Sequence, residues 1–195
     1  MTLDVEQSTA GSPDNGTPAL AQRRLLERLC ERFDQECRME WHAFSGIDSQ
    51  YSPRLDLAVG PFAIGDLKLE EKYDALTEVH REYMASLWRA HVSNVGCSDQ
   101  DISRLFHAAS SQNSNARCFL AIEIENRGSR KHVLGGMLNA ASLGRFGIMI
   151  GWTDDSVRML VRARQYLMFL MEARKPSLPF SNLLILNREQ AEQHL

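Results

Sequence analysis

The stretch from Ala116 to Gly144, ARCFLAIEIENRGSRKHVLGGMLNAASLG, constrains this chain more than any other. An apolar run of strand character ends in Glu123-Ile124-Glu125, and a helix-like segment rich in small residues follows. Side chains of an extended chain alternate between two faces. Phe119, Ala121, Glu123 and Glu125 therefore share one face, and Leu120, Ile122 and Ile124 the other. Two carboxylates project together from the end of an apolar strand. Desolvating one is costly, and a second beside it adds repulsion unless a cation compensates. The pair reads as a site for a divalent metal.

The helix after this strand has Ser129 as its expected N-cap and Gly144 as its stop, with Val133, Leu134, Met137, Leu138 and Ala141 facing inward. Gly135 and Gly136 each cost about 1 kcal/mol inside a helix, which points to close packing against a sheet. Arg127, Arg130, Lys131 and His132 crowd the helix start, although the dipole and free N–H groups there already favour an anion. Either a phosphate visits this turn, or the cations pair with Glu123 and Glu125.

Upstream, Leu26, Cys30, Phe33, Cys37 and Trp41 are spaced by four, three, four and four, which predicts a helix over 19–41. Glu36 and Glu40 lie at the margin of its apolar stripe, either solvated or reaching a site at the edge of the core. Residues 54–59 (RLDLAV) read as a strand in which Asp56 shares a face with Ala58. An acid so placed is either partnered, with Arg54 the nearest candidate, or functional. Gly60-Pro61 breaks or bends that strand. Leu69, Tyr73, Leu76, His80, Tyr83 and Leu87 predict one long helix over 66–93, and a shorter helix opens at Ser98. Downstream, the expected order is a buried strand over 146–152, a helix over 156–174, a strand over 182–187 and a frayed polar tail.

A chain of 195 residues with 44% hydrophobic and 24% charged residues suits one soluble domain. Residues 1–18, rich in Gly, Pro, Ser and Thr, read as a disordered arm before a single domain over 19–195. No apolar run approaches the roughly 20 residues that span a bilayer. The start of the chain lacks a basic segment followed by an apolar one, so a cytoplasmic location is expected. The four cysteines show no C-x-x-C, which argues against a zinc site or disulfide framework. With a net charge of −3, binding to nucleic acid requires a local basic patch or a bound metal. A Gly-rich phosphate loop, a G-x-S-x-G elbow and an H-E-x-x-H helix are all missing.

Helix with acids, strand with Asp56, strand with Glu-x-Glu, helix, strand: this order resembles the PD-(D/E)XK nuclease superfamily. Pro53-Arg54-Leu55-Asp56 matches the first motif and Glu123-Ile124-Glu125 the second, as a Glu-x-Glu variant. The resemblance covers roughly 19–152, interrupted by a helical insertion at 66–110. It implies a restriction-endonuclease-like α/β fold: a central mixed sheet of four to five strands flanked by helices. It further implies a Mg²⁺- or Mn²⁺-dependent endonuclease acting on DNA. In that scheme Asp56 and Glu123, with Glu40 or Glu36, hold the metal. Glu125 ligates it or acts as base, and Lys131 supplies the charge of the lysine usually found where Glu125 stands. Arg127, Arg130 and His132 would bind phosphate. A catalytically inactive fold serving as a nucleic-acid or protein interaction module is the alternative. Endonucleases that cut both strands are often dimers, and helix 66–93 is the candidate dimer surface. One clear strand, rather than the family's usual two, precedes the Glu-x-Glu strand in this reading.

Overall fold

The computed structural model describes residues 18–44, 52–63, 67–96, 102–126, 129–175 and 180–195. Five strands form one mixed sheet in the order β1 (Cys37–His42), β2 (Arg54–Val59), β3 (Cys118–Glu125), β4 (Gly144–Gly151) and β5 (Leu183–Asn187). β1, β2 and β3 pair antiparallel, whereas β3, β4 and β5 run parallel. The two parallel connections are made by α5 (Arg130–Leu143) and α6 (Asp154–Glu172), which pack against each other on one face. Right-handed crossovers between neighbouring parallel strands place both helices on the same side and in the same direction. The other face is covered by α1 (Pro18–Phe33) and α3 (Arg81–Val95), with α2 (Glu70–Val79) and α4 (Ile102–Ser110) beside them. The expected α/β class, with a five-stranded mixed sheet flanked by helices, is what the chain adopts.

All eight residues of β4 are buried: the apolar run from Phe146 onward suits the interior of a parallel sheet, and the buried Arg145 is paired with Asp74. Phe33, Tyr73, Leu87 and Trp88 pack on Leu57, Phe119, Ile122 and Phe146 on one face. Val133, Met137, Ala140 and Leu160 pack on Ala58, Ala121, Met149 and Ile185 on the other. Gly147 is what lets α5 lie flat on β4: a Cβ there would sit 2.7 Å from the Ala140 carbonyl carbon. Among the described residues, no helix is long and apolar enough to cross a membrane.

Several expectations need correction. The first helix ends at Phe33, not Trp41, and residues 37–42 form a strand. Asp34, at φ 49°, turns the chain out of the helix. Beyond it Cys37 and Met39 pack on the α1 side of the sheet and Trp41 on the α5 side, with the left-handed Glu40 between them, so the continued helical spacing was coincidental. Two strands therefore precede the Glu-x-Glu strand. The long helix over 66–93 is two helices, broken at His80, which adopts φ −104° and ψ 21°. Of the aromatic residues in that span, Tyr73 and Trp88 are buried in the core and Tyr83 is half-buried against Phe33. The polar tail is α7 (Arg188–His194), opened by a capping box between Asn187 and Gln190 and closed over a fully buried Leu195. Most of the expected N-terminal arm (1–17), and Ser98, the expected opening of the shorter helix, lie outside the described residues. Pro18 opens α1.

Candidate functional site

Strand pairing brings three acids into one row. Met39 pairs with Leu57 and Trp41 with Leu55, so Glu40 stands across from Asp56. Leu57 pairs with Ile122 in the next ladder, a register that sets Asp56 across from Glu123. The row thus runs Glu40, Asp56, Glu123 over β1, β2 and β3. At its centre the regular pairing of β2 with β3 stops, and the Ile124 amide donates to Asp56 Oδ2 at 2.7 Å instead. This bond uses one carboxylate oxygen and leaves the other for a ligand.

Asp56 and Glu123 are both half-buried. Burial is the largest influence on Asp56 and raises its pKa; the Ile124 amide opposes this, and Glu40 adds repulsion. Glu123 is pushed up to about 8, first by burial and then by the charges of Asp56 and Glu40. Glu123 therefore carries its proton at neutral pH. A divalent cation between the two groups would replace that proton and remove the repulsion.

The two acids open into a cleft of about 700 Å³, which Glu125, Lys131 and His132 also line. One wall is the sheet edge and the other is the first half of α5. Ser129 caps that helix, its hydroxyl accepting from the His132 amide at 3.4 Å. Gly136 fits closely beneath it, since a Cβ would meet Met149 Cε at 3.3 Å and Glu123 Cγ at 3.8 Å. Gly135 does not follow the close-packing explanation. A Cβ there would meet nothing within 4 Å, and the residue borders the cleft.

Asp56, Glu123, Glu125, Lys131 and His132 are thus brought together. Glu40 influences both buried acids but holds Arg54, its carboxylate 2.7 Å from Arg54 Nε. Arg54 accordingly forms its ion pair with Glu40, and its charge also acts on Asp56 across the same cleft. Glu40 has φ 48°, a left-handed conformation that interrupts the strand. Glu36 is exposed at the far end of the hairpin, paired with Arg38 at 2.7 Å. It stands four positions before Glu40, about 13 Å along an extended chain, and does not line the cleft. Arg130 borders a different groove, between α5 and α6. Arg127 lies outside the described residues.

The cleft also contains His42, Ser52, Asn126 and Asn139, which sequence reasoning did not single out. His42 lies at the end of β1, beyond the left-handed Glu40, where simple alternation over 37–42 does not place it. Asn139 lies four residues after Gly135 on the α5 wall, a spacing that puts both on one helix face.

Among the described residues, no group of three or more His, Cys, Asp or Glu side chains is arranged to hold a metal ion. The donor set offered is the pair Asp56 and Glu123. Two hard carboxylates suit Mg²⁺ or Mn²⁺ rather than a softer metal, because Mg²⁺ commonly uses one or two protein carboxylates and completes its shell with water and substrate phosphate. Comparison with protein-family models, with curated proteins and with solved structures finds no match.

Proposed function

We propose that this protein is a divalent-metal-dependent hydrolase of phosphodiester bonds in nucleic acid, with DNA the expected substrate and Asp56 and Glu123 the metal pair. The observation that carries the reading is the adjacency of these two half-buried acids in a cleft whose opposite wall carries Lys131 and His132. Two strands before the Glu-x-Glu strand, and one helix and one strand after it, add support from topology, in keeping with a restriction-endonuclease-like arrangement.

Bound Mg²⁺ or Mn²⁺ would supply Lewis-acid charge to the phosphate and to the attacking water. Asp56 is held in place for its share of the ligation by the Ile124 amide. Glu125, which lines the cleft beside Asp56 and Glu123, would take the proton of the attacking water. A carboxylate there cannot stabilise developing negative charge, so that role falls to Lys131, across the cleft on α5. His132, beside it at the capped helix start, orients a neighbouring phosphate.

Incubation of single-stranded circular DNA and of supercoiled plasmid with the protein tests this. Nicking is expected with Mg²⁺ or Mn²⁺, none with EDTA, and none from Asp56→Ala or Glu123→Ala in either condition. Metal-dependent cleavage that survives in both variants would remove Asp56 and Glu123 from the site.

A second reading keeps the fold and gives up catalysis, leaving a nucleic-acid or protein interaction module. It is favoured by the carboxylate at 125 and by the lack of a third converging ligand among the described residues. Nucleic-acid binding with no cleavage under any divalent metal would select it.

A further inference from the structure

A second groove of about 570 Å³ runs between α5 and α6. The groove and the carboxylate cleft flank the first turn of α5, where Lys131 and His132 border the cleft and Arg130 borders the groove. On α6, Arg158, Arg162 and Tyr166 follow one another at intervals of four along its edge. Such residues share one helix face about 6 Å apart. Arg158 is held by Asp155 at 2.5 Å, a fully solvated pair. Among the described residues, Arg130 and Arg162 have no acidic partner. Tyr166 is 52% exposed, and Leu134 and Met159 contribute apolar surface to the groove.

Three guanidiniums line this groove with one carboxylate, Asp155, and Asp154 adds a second acid beside Arg158, which still leaves the groove positive on a chain whose net charge is −3. The positive ends of two parallel helix dipoles point to the same edge. Cations set beside a half-exposed aromatic ring match the chemistry of unpaired nucleic acid, which presents phosphates and free base faces together. A duplex hides its base faces in the stack and would leave Tyr166 unused.

We propose that the α5–α6 groove binds a single-stranded nucleic-acid segment continuous with the carboxylate cleft, its phosphates on Arg158 and Arg162 and a base stacked on Tyr166. This names the substrate form for the hydrolase reading above and rests on that reading for what happens in the cleft. All three side chains are on the solvent side of α6, so their replacement leaves the core intact.

The test is fluorescence anisotropy of a short labelled oligothymidylate, titrated with the full chain in EDTA so that metal binding plays no part. Arg162→Glu and Tyr166→Ala should each weaken binding roughly tenfold, Tyr166→Phe should bind as the parent does, and the matching duplex should bind more weakly than the single strand. Circular dichroism confirms that each variant is folded. Parent affinity in both Arg162→Glu and Tyr166→Ala overturns the proposal, as does equal binding of duplex or no binding by the parent. The hydrolase reading is tested apart, by cleavage in Mg²⁺. Groove-dependent binding without cleavage would retain the groove and reject the hydrolase.

Discussion

The carboxylate of Asp56 accepts the Ile124 amide at 2.7 Å, joining β2 to β3 where their main-chain pairing ends. A side chain here does the work of a ladder carbonyl, which makes Asp56 both a structural acceptor and a candidate ligand. The two roles separate by substitution. Asp56→Ala leaves the Ile124 amide unsatisfied, at a cost of about 1–3 kcal/mol. Asp56→Asn keeps an acceptor oxygen and should stay within about 1 kcal/mol of the parent, yet lose divalent-metal binding. Urea denaturation of the two variants measures the difference. Equal destabilisation by both would deny the acceptor role.

Glu123 sets a pH dependence whose sign is opposite to that of an ordinary paired acid. Its folded pKa is about 8, above the usual 4.5. Between those values the folded protein binds more protons than the unfolded chain, so stability falls as pH rises. Glu123→Gln removes this loss. In EDTA at pH 8.5 its melting temperature should exceed that of the parent by a few degrees, and the two should converge toward pH 4.5. Melting curves with the same pH slope in both proteins would contradict the burial of Glu123 beside Asp56.

The end of the chain offers a test of packing. Leu195 is fully buried and Ala191 with it, both in the cluster that holds Leu186 and Ile150. Leu195→Ala should cost about 2–4 kcal/mol, measured by urea unfolding. An effect below roughly 0.5 kcal/mol is what a frayed tail would give.

That tail marks the limit of what pattern could reveal. REQAEQHL looks like solvated polar sequence because its buried positions are only Ala191 and Leu195, too few to register as a periodic stripe. The capping box between Asn187 and Gln190 was the available signal. Elsewhere periodicity located β3, β4 and α5, although Phe119 packs on the face opposite to Ala121 and Leu138, expected to face inward, is exposed. It misled at 37–42, where Phe33, Cys37 and Trp41 fit a helical spacing although Asp34 ends the helix. The site shows the same division. Asp56, Glu123, Glu125 and Lys131 were readable because acids and cations stood out on apolar elements. The displacement of Glu36, and the diversion of Glu40 to Arg54, depend on strand register. Register is set by tertiary pairing, which a single sequence states only indirectly.

The hydrolase reading depends on whether Asp56 and Glu123 act together on one cation, and isothermal titration of Mn²⁺ into the metal-free protein asks this directly. The account predicts one binding site, affinity that strengthens as pH rises through about 8 with a proton released on binding, and loss of the site in Asp56→Asn and in Glu123→Gln. Absence of Mn²⁺ binding by the folded parent, or binding that persists unchanged in both variants, would contradict it.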